Sequence, residues 1–237
     1  MSSTSSLLAS ALLFKQQTDK IPIAALTGDP VEVGLVQSLA HPGGNITGVS
    51  VDTGPSLYGK RIELLREMLP GMSKLAFLTL RVAWEGIQGP PMRAAADAAG
   101  IALDVSLLEL PTSEAAYREA IAKSLREGAN AVMVGDNADA LVNHSLIVNL
   151  IGAVKVPALY PFWEFVDVGG LMAHSYDLMG LVKIIANDID AILRGANPGD
   201  IPYHQSSKFE LSINLKTAKA IGLTVPATLL VRADKVI

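Results

Sequence analysis

Four short stretches of the 237-residue sequence place carboxylates, amides, hydroxyls and aromatic rings directly after β-forming runs. They are Thr27-Gly28-Asp29-Pro30, Gly135-Asp136-Asn137, Pro161-Phe162-Trp163-Glu164-Phe165 and Ser175-Tyr176-Asp177. A carboxylate such as Asp29 or Asp177 suits a ligand ammonium, backbone N–H groups at a helix start suit a carboxylate, and Trp163 or Tyr176 suits an apolar or aromatic portion. Each feature has a plainer use, because an Asp before a helix caps it and an aromatic near a strand end packs in a core. Their shared position gives them weight as a set: in sheets of parallel strands, ligands bind beyond the carboxyl ends of the strands.

Signatures of covalent or cofactor chemistry are missing. There is no G-x-G-x-x-G, no G-x-x-x-x-G-K-[ST] and no G-x-S-x-G, so dinucleotide binding, P-loop phosphate binding and a hydrolase nucleophile each lack their marker. The four histidines, His41, His144, His174 and His204, are widely spaced with no i, i+4 pair, and no cysteine is present, which argues against a metal site, a disulfide framework and a thiol nucleophile. His174 reads as a hydrogen-bonded structural histidine near a strand end. With 19 basic and 23 acidic side chains and no basic block, the chain lacks the charge pattern that phosphate backbones require, so no nucleic-acid partner is expected. No apolar run approaches the ~20 residues of a bilayer span, so no membrane insertion is expected either. No cofactor and no catalytic residue is assigned, and the residues read as those of a binder rather than an enzyme.

These residues must be positioned by an alternation of strands and helices. Strands are expected at Ile21 to Leu26, Ile46 to Val51, Lys74 to Leu80, Ile101 to Leu108, Ala131 to Val134, Val156 to Tyr160 and Leu171 to His174, with a half-buried strand over Lys208 to Leu215. Tyr58, Ile62, Leu65 and Leu69 form the buried stripe of one helix, leaving Lys60, Arg61, Glu63, Arg66 and Glu67 on its other faces. Another helix runs from Glu114 to Glu127. A third spans Asp177 to Leu193, with Leu178, Leu181, Val182, Ile185, Ile189 and Ile192 as its stripe and Gly195 and Pro198 closing it. Asp29 and Pro30 are expected to cap and start a helix. Leu7 to Phe14 reads as a helix capped by Ser5 or Ser6, not a secretory signal, because no positive charge precedes it. Strands separated by helices pair through crossovers, so the class is α/β with mainly parallel sheets.

The run Phe209 to Pro226 (FELSINLKTAKAIGLTVP), followed by Leu229 to Ile237 (LLVRADKVI), resembles the C-terminal signature of an ABC transporter substrate-binding family that includes tryptophan- and tyrosine-type uptake proteins. Three further stretches agree with it: Ile21-Pro22-Ile23 with Gly28-Asp29-Pro30-Val31 and Gly34-Leu35-Val36; Leu39 to Gly48 (LAHPGGNITG); and Gly59 to Leu65 (GKRIELL). The resemblance covers about Ser5 to Ile237. It implies a type I periplasmic-binding-protein-like fold of two Rossmann-like lobes that close on a small ligand by hinge motion. Lobe one is expected at 1–52 and 170–197, and lobe two at 53–169 and 198–237, with crossings near Val51 to Pro55 and Val168 to Gly170. Compared with the family, the first lobe is expected to be incomplete, lacking its opening strand-helix units, and the chain to be N-terminally truncated.

The resemblance also implies function. The expected role is the solute-binding component of an ABC importer, taking a small polar or amino-acid-like ligand and delivering it to a permease. The expected ligand contacts are Thr27, Asp29 and Thr47 from lobe one, Asp136, Asn137, Trp163 and Glu164 from lobe two, and Tyr176 and Asp177 at the return crossing. The alternatives are a ligand-sensing domain of the same fold, or an α/β enzyme acting on a sugar or nucleotide. The family works outside the inner membrane, whereas the chain as written is read as carrying no signal peptide and is expected to stay in the cytoplasm. An exposed sheet edge in an incomplete lobe would favour self-association.

Overall fold

The protein is represented by a computed structural model that describes residues 11–31, 33–51, 54–206 and 209–237. The expected caps Ser5 and Ser6, the apolar Leu7 and Leu8, and Asp52 and Thr53 of the first crossing lie outside these residues. Among the described residues ten strands follow in chain order: β1 (Ile23–Thr27), β2 (Ile46–Ser50), β3 (Lys74–Leu80), β4 (Ala102–Leu108), β5 (Ala131–Val134), β6 (Ala158–Tyr160), β7 (Met172–Tyr176), β8 (His204–Gln205), β9 (Phe209–Ile213) and β10 (Lys235–Val236). They form a three-stranded sheet, β1-β2-β8, and a seven-stranded sheet, β10-β9-β7-β6-β5-β3-β4. The pairings of β1 with β2, β2 with β8, β3 with β4 and β5, β5 with β6, β6 with β7 and β9 with β10 are all parallel, as the intervening helices require.

The chain divides into two compact units, residues 1–53 with 176–209 and residues 54–175 with 210–237. Strand pairing explains where the division falls relative to the expected 170–197 return. Met172 and Ala173 pair with Leu159 and Tyr160, which ties the start of β7 to the large sheet. His204 and Gln205 pair with Val49 and Ser50, which keeps the chain in the first unit beyond Asn197.

The larger unit is built around fully buried strands. From Leu75 to Leu80, β3 is buried at every position, and so is all of β5, because a central parallel strand is covered on both faces. Tyr58, Ile62 and Leu65 of the helix Pro55–Met68 pack with Phe77, Met133, Leu159 and Met172 in its core. Arg61, expected on an exposed face of that helix, is instead fully buried. It lies on a second stripe, Leu57, Arg61, Leu64 and Met68, whose offsets of 4, 7 and 11 residues are those of an inward helix face.

In the smaller unit the helix at residues 11–17 sets Ala11 into a cluster with Leu35, Val36, Ile46 and Tyr203. Its end is fixed where Thr18 Oγ1 accepts from the Lys20 and Ile21 amides at 3.2 and 3.0 Å. No helix follows Pro30 among the described residues. Asp29 Oδ1 accepts from Val31 N at 2.9 Å, the Leu35 and Val36 amides donate to the Pro30 carbonyl, and Gly34 takes the left-handed φ of +69° that ends helical continuation. The helix Leu178–Leu193 packs on β1 and β2 but turns a different face inward than its apolar pattern suggests. Leu181 and Asp188 are buried, while Val182 and Ile189, both expected in the stripe, are 47% and 44% exposed.

Candidate functional site

In the larger unit the parallel strands bring their carboxyl ends to one rim, where the loops of β3, β5, β6 and β7 lie. Arg61 organises this rim from beneath. Its guanidinium donates to both carboxylate oxygens of Asp136 at 2.5 and 3.0 Å, and Nε and Nη2 donate to the His174 carbonyl at 3.1 and 2.8 Å. One planar cation thus joins the loop after β5 to the middle of β7, a geometry that an ammonium cannot reproduce.

A second tie comes from Gln88, at the end of the π-turn Trp84–Gln88 that follows β3. Its Nε2 donates to the Asp136 carbonyl at 2.8 Å and its Oε1 accepts from Thr79 Oγ1 at 2.6 Å. Gly135 passes so close to this pair that a Cβ would sit 2.5 Å from Thr79 Oγ1, so only glycine fits. His174 feels the same cation: burial, then the neighbouring Arg61 charge, push its imidazole down to about 4, and it is neutral at pH 7.

The remaining expected contacts in this unit have local partners. Asn137 caps the helix Ala138–Val142 by accepting from the Ala140 amide at 2.8 Å. Trp163 is 38% exposed, but the Lys235 ammonium lies 4.5 Å from its ring centroid, so that ring face is occupied. Lys235 also pairs with Asp167 at 2.7 Å. Glu164 buries its Oε2 without a hydrogen-bond partner.

In the smaller unit Thr27 ends β1 with its hydroxyl 2.9 Å from the Tyr203 hydroxyl, and Thr47 donates to the Ile201 carbonyl at 2.9 Å. Both are fully buried. Burial raises the Tyr203 phenol to about 12, so it remains a donor. Asp29 is exposed, Tyr176 is buried at the end of β7, and Asp177 caps the helix Leu178–Leu193 through the Gly180 amide at 2.8 Å.

The structure therefore brings Asp136 and Asn137 together on the rim of the larger unit, with Trp163 and Glu164 in the loop after β6. Thr27 lies at the carboxyl end of its strand in the smaller unit, Asp29 in the loop beyond it, Tyr176 and Asp177 at the start of the long helix, and Thr47 one residue inside β2. Sequence reasoning missed three residues. Arg61 shares a helical stripe with Leu57, Leu64 and Met68, but a stripe alone does not mark an arginine as buried, and Gln88 had no sequence signal. Ser50, the third, ends β2 in register with Thr27; it is 2% exposed and its Oγ has no partner. Burying an unpaired hydroxyl costs about 1 to 3 kcal/mol, which sets Ser50 apart from Thr27 and Thr47, whose hydroxyls are bonded. Among the described residues no group of three His, Asp or Glu side chains is placed to hold a metal ion, and no helix is long and apolar enough to cross a membrane.

Comparison with known proteins places this arrangement. A crystal structure described as an ABC domain in complex with L-Trp from Streptococcus pneumonia is 26% identical, with a TM-score of 0.80 over 96% of this chain and 77% of its own. A conserved domain protein from Vibrio cholerae is 23% identical, with a TM-score of 0.82 over 96% and 75%. A ligand-free, open substrate-binding protein with adhesive properties from Clostridium difficile is 21% identical, with a TM-score of 0.67 over 95% and 74%. The last two likenesses are of fold. No curated protein matches the chain significantly. The family model described as ABC transporter substrate binding protein matches residues 4–237, essentially the whole sequence. With its parallel sheets, strand-end rims and type I periplasmic-binding-protein-like α/β fold, the chain belongs to the ABC transporter substrate-binding protein family, whose role is binding rather than catalysis.

Proposed function

We propose that the chain captures a small amino-acid-like solute outside the inner membrane and delivers it to an ABC permease. The observation that carries this reading is the L-Trp held by a relative 26% identical over 96% of this chain. Side-chain chemistry is compatible with it. Asp29 offers an exposed carboxylate to a ligand ammonium, and Ser50 offers a buried hydroxyl that nothing else uses. Asp136 is held by Arg61, so its role is to fix the rim while neighbouring groups make contact. Asn137, Tyr176, Asp177 and the open face of Trp163 are further contact candidates, whereas Thr27 and Thr47 act mainly by holding their strands.

Thermal-shift measurement against the proteinogenic amino acids, L-Trp first, tests the proposal. A ligand at 100 times its Kd stabilises the folded chain by about 2.7 kcal/mol. Ser50→Ala should leave the unliganded chain as stable or more so while reducing that shift. A folded sample that no amino acid stabilises would refute the amino-acid reading.

A further inference from the structure

The chain enters the larger unit just before the helix Pro55–Met68 and first leaves it at the end of β7, between Ser175 and Tyr176. The register of β6 with β7 covers Met172 and Ala173. The next residue, His174, gives its carbonyl to Arg61, whose Nε and Nη2 donate to it at 3.1 and 2.8 Å. Arg61 stands on the entering helix, about 9 Å along its axis from Pro55 at a rise of 1.5 Å per residue. The same guanidinium grips the Asp136 carboxylate in the loop after β5, next to Asn137. One fully buried side chain therefore ties together the start of one crossing, the end of another and a loop of the rim.

We infer that Arg61 is the positioning residue through which the loop Gly135 to Asn137 governs these two crossings, so that a solute engaging the loop restrains the hinge without touching Arg61. The identity of a solute at this loop rests on the proposed function, whereas the link itself belongs to the unliganded chain. Three physical features support the link. The guanidinium is planar and bonds through a fixed fork, so Asp136 and the His174 carbonyl cannot shift independently of the helix that carries it. Its bonds lie out of water, where charged hydrogen bonds are strongest. Gln88 holds the Asp136 carbonyl at 2.8 Å and Thr79 at 2.6 Å, so the loop also moves with β3 and cannot absorb a displacement by flexing alone. Every partner lies within the larger unit, and the hinge is the two-state element that the link biases. Lysine at this position would keep the charge but offer no fork for two partners.

Distances between the two units test the link. Because the sequence contains no cysteine, K123C/K183C puts one spin label at an exposed position on each unit. Double electron–electron resonance on the unliganded chain should show a broader distance distribution for R61K, R61M and R61M/D136N than for the native background. R61M/D136N separates the link from plain stability, because it strands no carboxylate and yet lacks the fork. With L-Trp as probe, the native background should narrow its distribution, and R61M/D136N should bind about tenfold more weakly. Circular dichroism and urea denaturation establish that each variant is folded, and R61K, which keeps the buried charge, carries the same test if R61M/D136N does not fold. A folded R61M/D136N chain with the native distribution overturns the proposal. So does an R61K chain with the native distribution, since a point charge would then suffice. A native chain that L-Trp leaves unbound counts against the proposed function, while the unliganded distributions still decide the link.

Discussion

Each unit buries a charged side chain, and the two are treated in opposite ways. In the larger unit Arg61 is fully buried and every contact is matched: a two-pronged bond to Asp136 and two further bonds to the His174 carbonyl. In the smaller unit Asp188 is 5% exposed, its Oδ2 has no partner, and His204 Nε2 lies 3.7 Å from Oδ1. The first arrangement locks two strand ends to each other. The second leaves a desolvated carboxyl whose pKa is raised by burial, offset in part by His204. A buried ion is tolerated where the fold surrounds it with donors or acceptors, and is a local cost where it does not.

The sharpest way to break the contrast is Arg61→Met. Removing the cation strands the Asp136 carboxylate and the His174 carbonyl, and should cost about 3 to 5 kcal/mol in urea denaturation. Hydrogen exchange should locate the loss at β5 and β7, and R61M/D136N should recover much of it. A loss below about 1 kcal/mol would mean that the fork is incidental.

The smaller unit has its own point of failure in backbone rather than charge. A Cβ on Gly48, whose φ is +154°, would lie 1.9 Å from the Ala25 carbonyl oxygen on the neighbouring strand. Gly48→Ala should therefore separate β1 from β2 at a cost on the order of 3 kcal/mol, read as faster amide exchange in those two strands.

Acid should act through His174 next. Its folded value of about 4 lies below the ~6.5 of an unfolded histidine, so the unfolded chain takes up the proton first. Stability is full above pH ~6.5 and falls by roughly 2 to 3 kcal/mol as the pH drops toward 4, and His174→Gln should flatten that slope in chemical denaturation.

The smallest effect sharpens the other half of the comparison. Because the pKa of Asp188 is raised, its burial costs stability at neutral and alkaline pH and ceases to cost once it is protonated. Asp188→Asn should gain about 1 kcal/mol at pH 8 and lose that advantage in acid, measured as the difference between melting curves at the two pH values.

Legibility followed the distance over which a feature is decided. The start of the long helix at Asp177 could be read from sequence because its cap bonds an amide only three residues on. The strands Lys74–Leu80 and Ala131–Val134 were readable to the residue, because burial on both faces leaves runs that are almost wholly apolar, broken only by Lys74 at the edge and by Thr79. The helix expected after Pro30 failed because Gly34 turns the chain there, and nothing local distinguishes a cap from the Asp29 turn that replaces it.

By itself the sequence determined the α/β class, the order of the main elements, the parallel pairing that follows from it and the family, since these rest on periodicity, local capping and motif. Only tertiary structure decided that Arg61 is inside, because its partners lie 75 and 113 residues away and a stripe alone cannot say what an arginine will meet. Tertiary structure also chose the inward face of the helix Leu178–Leu193. That helix is apolar around most of its circumference, so the position of β1 and β2 beneath it, and not its own pattern, determined which residues were covered and which remained exposed.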